Sequence, residues 1–118
     1  MTFDVDARGD VLVVRPSGPV FGGPEGADLH EYLHAAPEAG GASSKSVVVD
    51  MGRVVLVNSS GLGQLVAAVT TLRGMGGDLR LASVSERVEN LFVITRLSSV
   101  FKRFPSADAA VASFEQHS

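Results

Sequence analysis

Val54-Val55-Leu56-Val57-Asn58-Ser59-Ser60-Gly61-Leu62-Gly63 joins an unbroken apolar run to a polar, glycine-bearing step. Beyond that step Leu62, Leu65, Val66, Val69 and Leu72 recur at the spacing of one helix face. Gly74 and the Gly76-Gly77 pair close the pattern. The stretch therefore reads as an apolar strand handing over to an amphipathic helix. Upstream, Val47-Val48-Val49 is a short, wholly apolar strand of the kind buried on both faces of a sheet, and Asp50 ends it. Downstream, Leu79 to Ala82 predicts another strand, and Ser85-Glu86-Arg87-Val88 opens a helix with Val88, Leu91 and Phe92 inward. Val100 to Phe104 predicts a last short strand and Ala107 to Phe114 a last helix.

The N-terminal part adds an antiparallel hairpin, with strands Thr2 to Asp6 and Val11 to Arg15 around an Arg8-Gly9-Asp10 turn. Pro16 to Gly26 holds three Pro and four Gly and predicts a loop. Pro24 suits the first turn of a helix, where its missing N–H costs nothing, and Leu29, Leu33 and Ala36 continue that helix until Pro37. Gly40 to Ser46 is a polar turn. With Val54 to Val57 left uncounted as a strand-like run, the resulting order, β-β-α-β-α-β-α-β-α, predicts a mixed α/β fold. Its sheet is largely parallel with an antiparallel hairpin at the edge, and about four helices cover it. The expectation is one domain over residues 1–118.

Composition excludes several classes. Hydrophobic residues are 45% of the 118 and rich in Val, Leu and Ala, which a disordered chain is not. Ten Lys plus Arg against thirteen Asp plus Glu leaves a formal charge of −3, the wrong sign for a nucleic-acid binder. Aromatics are 6%, with no Trp and one Tyr, so no base-stacking platform is expected. The chain has no cysteine, which excludes disulfides, thiolate nucleophiles and Cys-based metal sites. Met1-Thr2-Phe3-Asp4-Val5-Asp6 lacks the basic start and apolar stretch of a signal peptide. Apolar runs such as Val54 to Val57 fall far short of the roughly 20 residues of a membrane helix. A soluble cytoplasmic chain is expected, without a membrane or nucleic-acid partner.

Asn58-Ser59-Ser60-Gly61-Leu62-Gly63 is the first candidate site. Hydroxyl and amide side chains at a helix start can accept from its free N–H groups, and Ser59 or Ser60 as an N-cap would contribute about 1 kcal/mol. The same helix end carries positive partial charge that favours an anion. Gly61 and Gly63 lack a Cβ, so another surface could approach the backbone closely. A phosphorylated serine here would place roughly −2 of charge on the tip. No Lys follows the glycines, so a P-loop is a poor match, and the Asn58-Ser59-Ser60 sequon means little without an export signal. His30-Glu31-Tyr32-Leu33-His34 spells H-E-x-x-H, a weakly specific zinc pattern. Pro37 stands where the extended form needs Gly, and the remaining histidine, His117, is far away in sequence. Asp50 reads as a turn residue, with a functional group at a strand end as the alternative. Arg73, Arg80, Arg87, Arg96 and Arg103 read as solvated or ion-paired.

Val48-Val49-Asp50-Met51, Asn58-Ser59-Ser60-Gly61-Leu62-Gly63, Gly76-Gly77-Asp78-Leu79-Arg80-Leu81 and Thr95-Arg96-Leu97-Ser98-Ser99-Val100-Phe101 together resemble the bacterial anti-sigma factor antagonists, which are single STAS domains. Order and spacing match from about Val47 to Phe104. The resemblance implies a four-helix, mixed-sheet fold, no catalytic residues, no cofactor and no metal. It implies that Asn58 to Gly63 contact a partner and that Ser59 is the phosphorylation site. An anti-sigma factor with serine/threonine kinase activity would phosphorylate Ser59 with ATP and release the chain, and a serine phosphatase would restore binding. Three positions depart from the family. Asn58 replaces the usual Asp, which keeps a hydrogen-bonding cap but drops a negative charge, Arg96 replaces the Gly after Thr95, and Phe21-Gly22-Gly23-Pro24 differs from the usual polar segment. Asn58 and Arg96 motivate a second expectation, a STAS scaffold or small-ligand sensor working without phosphorylation. A zinc hydrolase built on His30 and His34 is the third.

Overall fold

Alternation along the strands explains the layers. The computed structural model describes residues 2–8, 11–21 and 46–115. β1 (Thr2–Arg8) and β2 (Val11–Phe21) pair antiparallel, from Thr2 opposite Ser17 to Arg8 opposite Val11. β3 (Ser46–Asp50) runs parallel to the first half of β2 and to β5 (Asp78–Ala82), and β5 runs parallel to β6 (Lys102–Phe104). β4 (Val54–Val57) pairs with β2 alone, from Gly18 opposite Val54 to Phe21 opposite Val57. The sheet thus has six strands in the order β1-β2-β3-β5-β6, with β4 beside the far half of β2.

The hairpin and the parallel crossovers are as expected. Two spans differ. Pro16 to Phe21 is strand, where the sequence predicts a loop. Pro16 falls between the residues of β2 that pair with β3 and those that pair with β4, so its missing N–H costs no parallel-ladder bond on that side. The last strand is only Lys102–Phe104, because Leu97 to Val100 closes a turn in which Val100 N–H donates to Leu97 C=O. The helix expected from Pro24 to Ala36, and residues 40–45 of the expected polar turn, lie outside the described residues.

Three helices stand among the described residues: α1 (Ser59–Gly74), α2 (Glu86–Ile94) and α3 (Ala107–Glu115). Leu12, Val14, Val47, Val49, Leu79 and Leu81 turn to one face of the sheet and meet Leu62, Leu65, Val69 and Leu72 of α1 and Val88 and Phe92 of α2. Their strand neighbours Val11, Val13, Val48 and Ala82 turn to the other face and meet Ala107, Ala110 and Val111 of α3. That is the period of two along a strand applied to a sheet buried on both sides. Phe92 stacks on Phe101 with ring centroids 5.3 Å apart, which ties α2 to the segment before β6.

The tip of the first described long helix as candidate functional site

The junction of β4 and α1 builds the site. Asn58 has extended backbone (φ −89°, ψ 176°), and its Oδ1 accepts from Gly61 N–H at 2.8 Å. Its carbonyl accepts from Leu62 N–H at 2.9 Å. Asn58 is therefore the N-cap, the hydrogen-bonding role expected of it in place of the family's Asp, and neither Ser59 nor Ser60 takes the cap that the sequence also offers them. The amide oxygen of Asn suits a cap as well as a hydroxyl does, so the preceding polar residue was the available signal. The consequence is chemical: Ser59 and Ser60 are released from capping. Both are exposed, and neither hydroxyl has a hydrogen-bond partner among the described residues.

Helix geometry sorts the remaining candidates. Gly61 and Leu62 are buried, facing the core with Leu65, whereas Asn58, Ser59, Ser60 and Gly63 are exposed. A side chain at Gly63 would meet nothing within 4 Å, so this face is open. The close approach expected over Gly61 and Gly63 reduces to Gly63 alone. The first turn of α1 holds no acidic residue, so its partial positive charge is uncompensated by a side chain.

Asp50 is a turn former: its Oδ1 accepts from Gly52 N–H at 3.0 Å. Its Oδ2 lies 3.4 Å from Arg15 Nε. A Cβ on Gly52 would come within 3.2 Å of Asp50 Oδ1 and 3.3 Å of Ser83 Cβ, which explains glycine in this tight turn.

The five arginines divide. Arg80 is buried, bonded to Asp78 Oδ2 (3.1 Å) and Ser113 Oγ (2.6 Å), with its guanidinium 3.9 Å from the Phe114 ring centroid. Arg73 bonds Asp78 Oδ1 (2.8 Å) and the Val100 carbonyl (2.7 Å). Burial pushes the Asp78 carboxyl up, but the hydrogen bonds from Arg73 and Arg80, the Arg73 charge and the Leu79 N–H together hold it below the usual carboxylate range. Arg103 bonds Glu89 and the carbonyls of Ser98 and Phe101. Arg87 and Arg96 are exposed and have no partner among the described residues.

Sequence reasoning missed a groove of ≈ 580 Å³ between β4 and α2, lined by Leu56 and Val57 from the strand and by Leu91 and Ile94 from the helix. The signal was present. Leu91-Phe92-Val93-Ile94 is four apolar residues in a row, and a helix can turn only part of such a run inward. His30, His34 and His117 lie outside the described residues. Among the described residues no group of three His, Cys, Asp or Glu could hold a metal, and no helix is long and apolar enough to cross a membrane.

These features coincide with a known family. The STAS domain model matches residues 2–110, and the chain belongs to that family. A curated relative, BtrV of Bordetella bronchiseptica, named as a candidate anti-sigma factor antagonist, is 32% identical over 71 residues. That match spans 60% of this chain and 61% of the relative, under two thirds of its length. Among solved structures, the anti-sigma factor antagonist SpoIIAA in its unphosphorylated form superposes with a TM-score of 0.80 at 15% identity, covering 99% of each chain. Its phosphorylated form from Bacillus gives 0.72 at 16% identity, covering 95% of this chain and 99% of that one. An anti-sigma factor antagonist from Mycobacterium paratuberculosis gives 0.79 at 23% identity, covering 95% and 92%. At these identities the structural likeness establishes the fold.

Proposed function

We propose that this chain is an anti-sigma factor antagonist that works by partner switching and is not itself an enzyme. Unphosphorylated, it binds a kinase-type anti-sigma factor through Asn58, Ser59, Ser60 and Gly63, with Gly61 and Leu62 seating that tip on the core. The kinase transfers the γ-phosphoryl group of ATP to Ser59 Oγ. The hydroxyl proton is lost and ADP is released. The new dianion then disfavours the close interface by desolvation and repulsion. A serine phosphatase returns the chain to its binding form by hydrolysis, releasing inorganic phosphate. The setting is the cytoplasm, where ATP and the sigma factor are found, and no cofactor is held by this chain.

The observation that carries this reading is the solvent-facing, uncapped Ser59 at the start of α1. Its support from relatives is that several of them are named anti-sigma factor antagonists and that one, SpoIIAA, is known in phosphorylated and unphosphorylated forms. The test is binding to each kinase-type anti-sigma factor of the source organism, purified singly. Ser59→Ala is expected to bind as the wild type does, and Ser59→Asp to bind at least about tenfold more weakly, the scale of a lost charge-sensitive contact. Intact mass after incubation with kinase and ATP should rise by one phosphate, absent in Ser59→Ala. Equal binding by both variants and an unmodified chain would support the scaffold or ligand-sensor reading instead.

A further inference from the structure

Arg80 stands where the sheet calls for an apolar residue. Along β5 it alternates onto the face that α3 covers, with Ala82 beyond it and Val48 beside it on β3. It is nevertheless only 5% exposed, so a guanidinium is held under that helix. Its neighbour on β6 is Lys102, and like charges at facing positions of adjacent strands repel. Lys102 is exposed and has no ion pair among the described residues. One carboxylate serves this cluster. Asp78 Oδ1 accepts from Arg73 Nε (2.8 Å) and Leu79 N–H (2.9 Å), and Oδ2 accepts from Arg80 Nε (3.1 Å). Both oxygens are occupied, and Arg73, Arg80 and Lys102 outnumber Asp78 by three charges to one. Positive charge therefore remains in surplus at a half-closed place, which folding alone disfavours. A cleft of ≈ 290 Å³ opens there, at the end of the sheet where β3 and β5 begin, lined by Ser46, Gly76, Gly77, Asp78, Arg80 and Phe114. The Phe114 ring lies 3.9 Å from the guanidinium carbon, and Ser113 Oγ accepts from Nη1 (2.6 Å), so the plane of the fork is fixed. Arg80 Nη2 has no hydrogen-bond partner among the described residues.

We infer that this cleft binds a small dicarboxylate, one carboxylate on the Arg80 fork and the other beside Lys102. Donor geometry selects the ligand as much as charge does. Gly76 N–H donates to the Arg73 carbonyl (3.2 Å) and Gly77 N–H to the Leu72 carbonyl (2.8 Å), so these glycines offer no free N–H groups to cradle a phosphate. The same two bonds occupy carbonyls at the negative pole of α1. What remains is a guanidinium edge, which matches the planar oxygen pair of a carboxylate, and an ammonium one strand away for a second. The site lies past the end of α1, about 24 Å along that 16-residue helix from Ser59, and does not depend on the partner-switching reading.

The test titrates the whole chain with succinate, against acetate and inorganic phosphate at matched ionic strength. Succinate should raise the melting temperature saturably, and by more than either control. Backbone amide resonances of Gly76, Gly77 and Ser113 should shift, while those of Asn58 to Gly63 stay in place. Lys102→Gln, at an exposed position, should melt no lower than the wild type yet bind succinate roughly three- to tenfold more weakly. Arg80→Lys keeps the charge but loses the fork, and should bind at least about tenfold more weakly. A merely structural Arg80 would leave succinate without effect. No saturable response beyond that of acetate, shifts clustered away from the cleft, or wild-type affinity in Lys102→Gln and Arg80→Lys alike would overturn the site. Phosphate binding as tightly as succinate would overturn the dicarboxylate assignment. If Arg80→Lys does not fold, Lys102→Gln and the pattern of amide shifts decide between these outcomes.

Discussion

α1 and α2 lie on the same face of the sheet and are finished in opposite ways. α1 buries Gly61, Leu62, Leu65, Ala68, Val69 and Leu72, while α2 buries only Val88 and Phe92. α1 begins without an acidic side chain and ends on a glycine suited to its turn. α2 begins with Glu86 and Glu89 and ends on a strained arginine. A helix anchored by six residues can leave its tip electrostatically bare. A helix held by two has less margin, yet it is the one that exposes Val93 and Ile94 and bends its backbone around Arg96. Departures from local optimum therefore stand at the start of α1 and along the outer side of α2, and a partner at the tip would account for the first.

The largest expected effect tests the difference in anchoring. Phe92 is fully buried and stacks on Phe101, with the Arg103 guanidinium 5.6 Å from its ring centroid. Phe92→Ala should cost about 3–5 kcal/mol, as large-to-small aromatic changes in cores do. It should also lower hydrogen-exchange protection in α2 far more than in α1. Chemical denaturation and exchange on the same variant check this; equal loss of protection in both helices would mean that α2 is not the weakly held element.

Acid should act at the opposite end of α1. Asp78 joins Arg73, in the last turn of α1, to Arg80 beneath α3, and its carboxyl is held below the usual range. A depressed carboxylate contributes stability that is fully present above the unfolded value of about 3.9 and lost as pH falls through the lower folded value. Wild-type melting temperature should thus drop below about pH 4, the range in which unfolded Asp takes up its proton. In Asp78→Asn that acid limb should be shallower, on a lower plateau near neutrality. Melting curves from pH 7 to pH 2 decide it, and parallel curves for the two chains would remove Asp78 as a cause.

How much of this was legible in the sequence follows from the kind of signal each feature leaves. Val47 to Val49 and the Leu62–Leu72 stripe announce themselves by periodicity, because burial on a sheet face or a helix face imposes a fixed spacing. The second half of β2 did not. Pro16, Pro19 and the glycines look like loop, and only pairing with β4, a residue set nearly forty positions away, makes that segment a strand. The Asn58 cap was one residue from the serines because all three side chains can cap, and the choice depends on where the backbone leaves the extended region. The groove was legible only in part: the apolar run Leu91 to Ile94 signals a remainder the helix cannot bury, but that this remainder faces β4 is set by packing between two elements and has no local pattern.

The smallest expected effect bears directly on the two helix starts. An acidic side chain in the first turn contributes about 0.3–1 kcal/mol against the N-terminal partial charge. α2 already has that contribution from Glu86, and α1 has none. Ser60→Glu, at an exposed position in the first turn of α1, should therefore stabilise the chain by about 0.3–1 kcal/mol, and Glu86→Gln should destabilise it by a similar amount. Both effects should shrink in high salt, since exposed charges are screened. Phosphate on Ser59 acts in the same place with more charge, so the phosphorylated chain should melt higher than the unmodified one even as it binds its partner less. If Ser60→Glu lowers stability, the bare pole of α1 is already neutralised by some other group, and Asn58 in place of an acid no longer distinguishes the two helix starts.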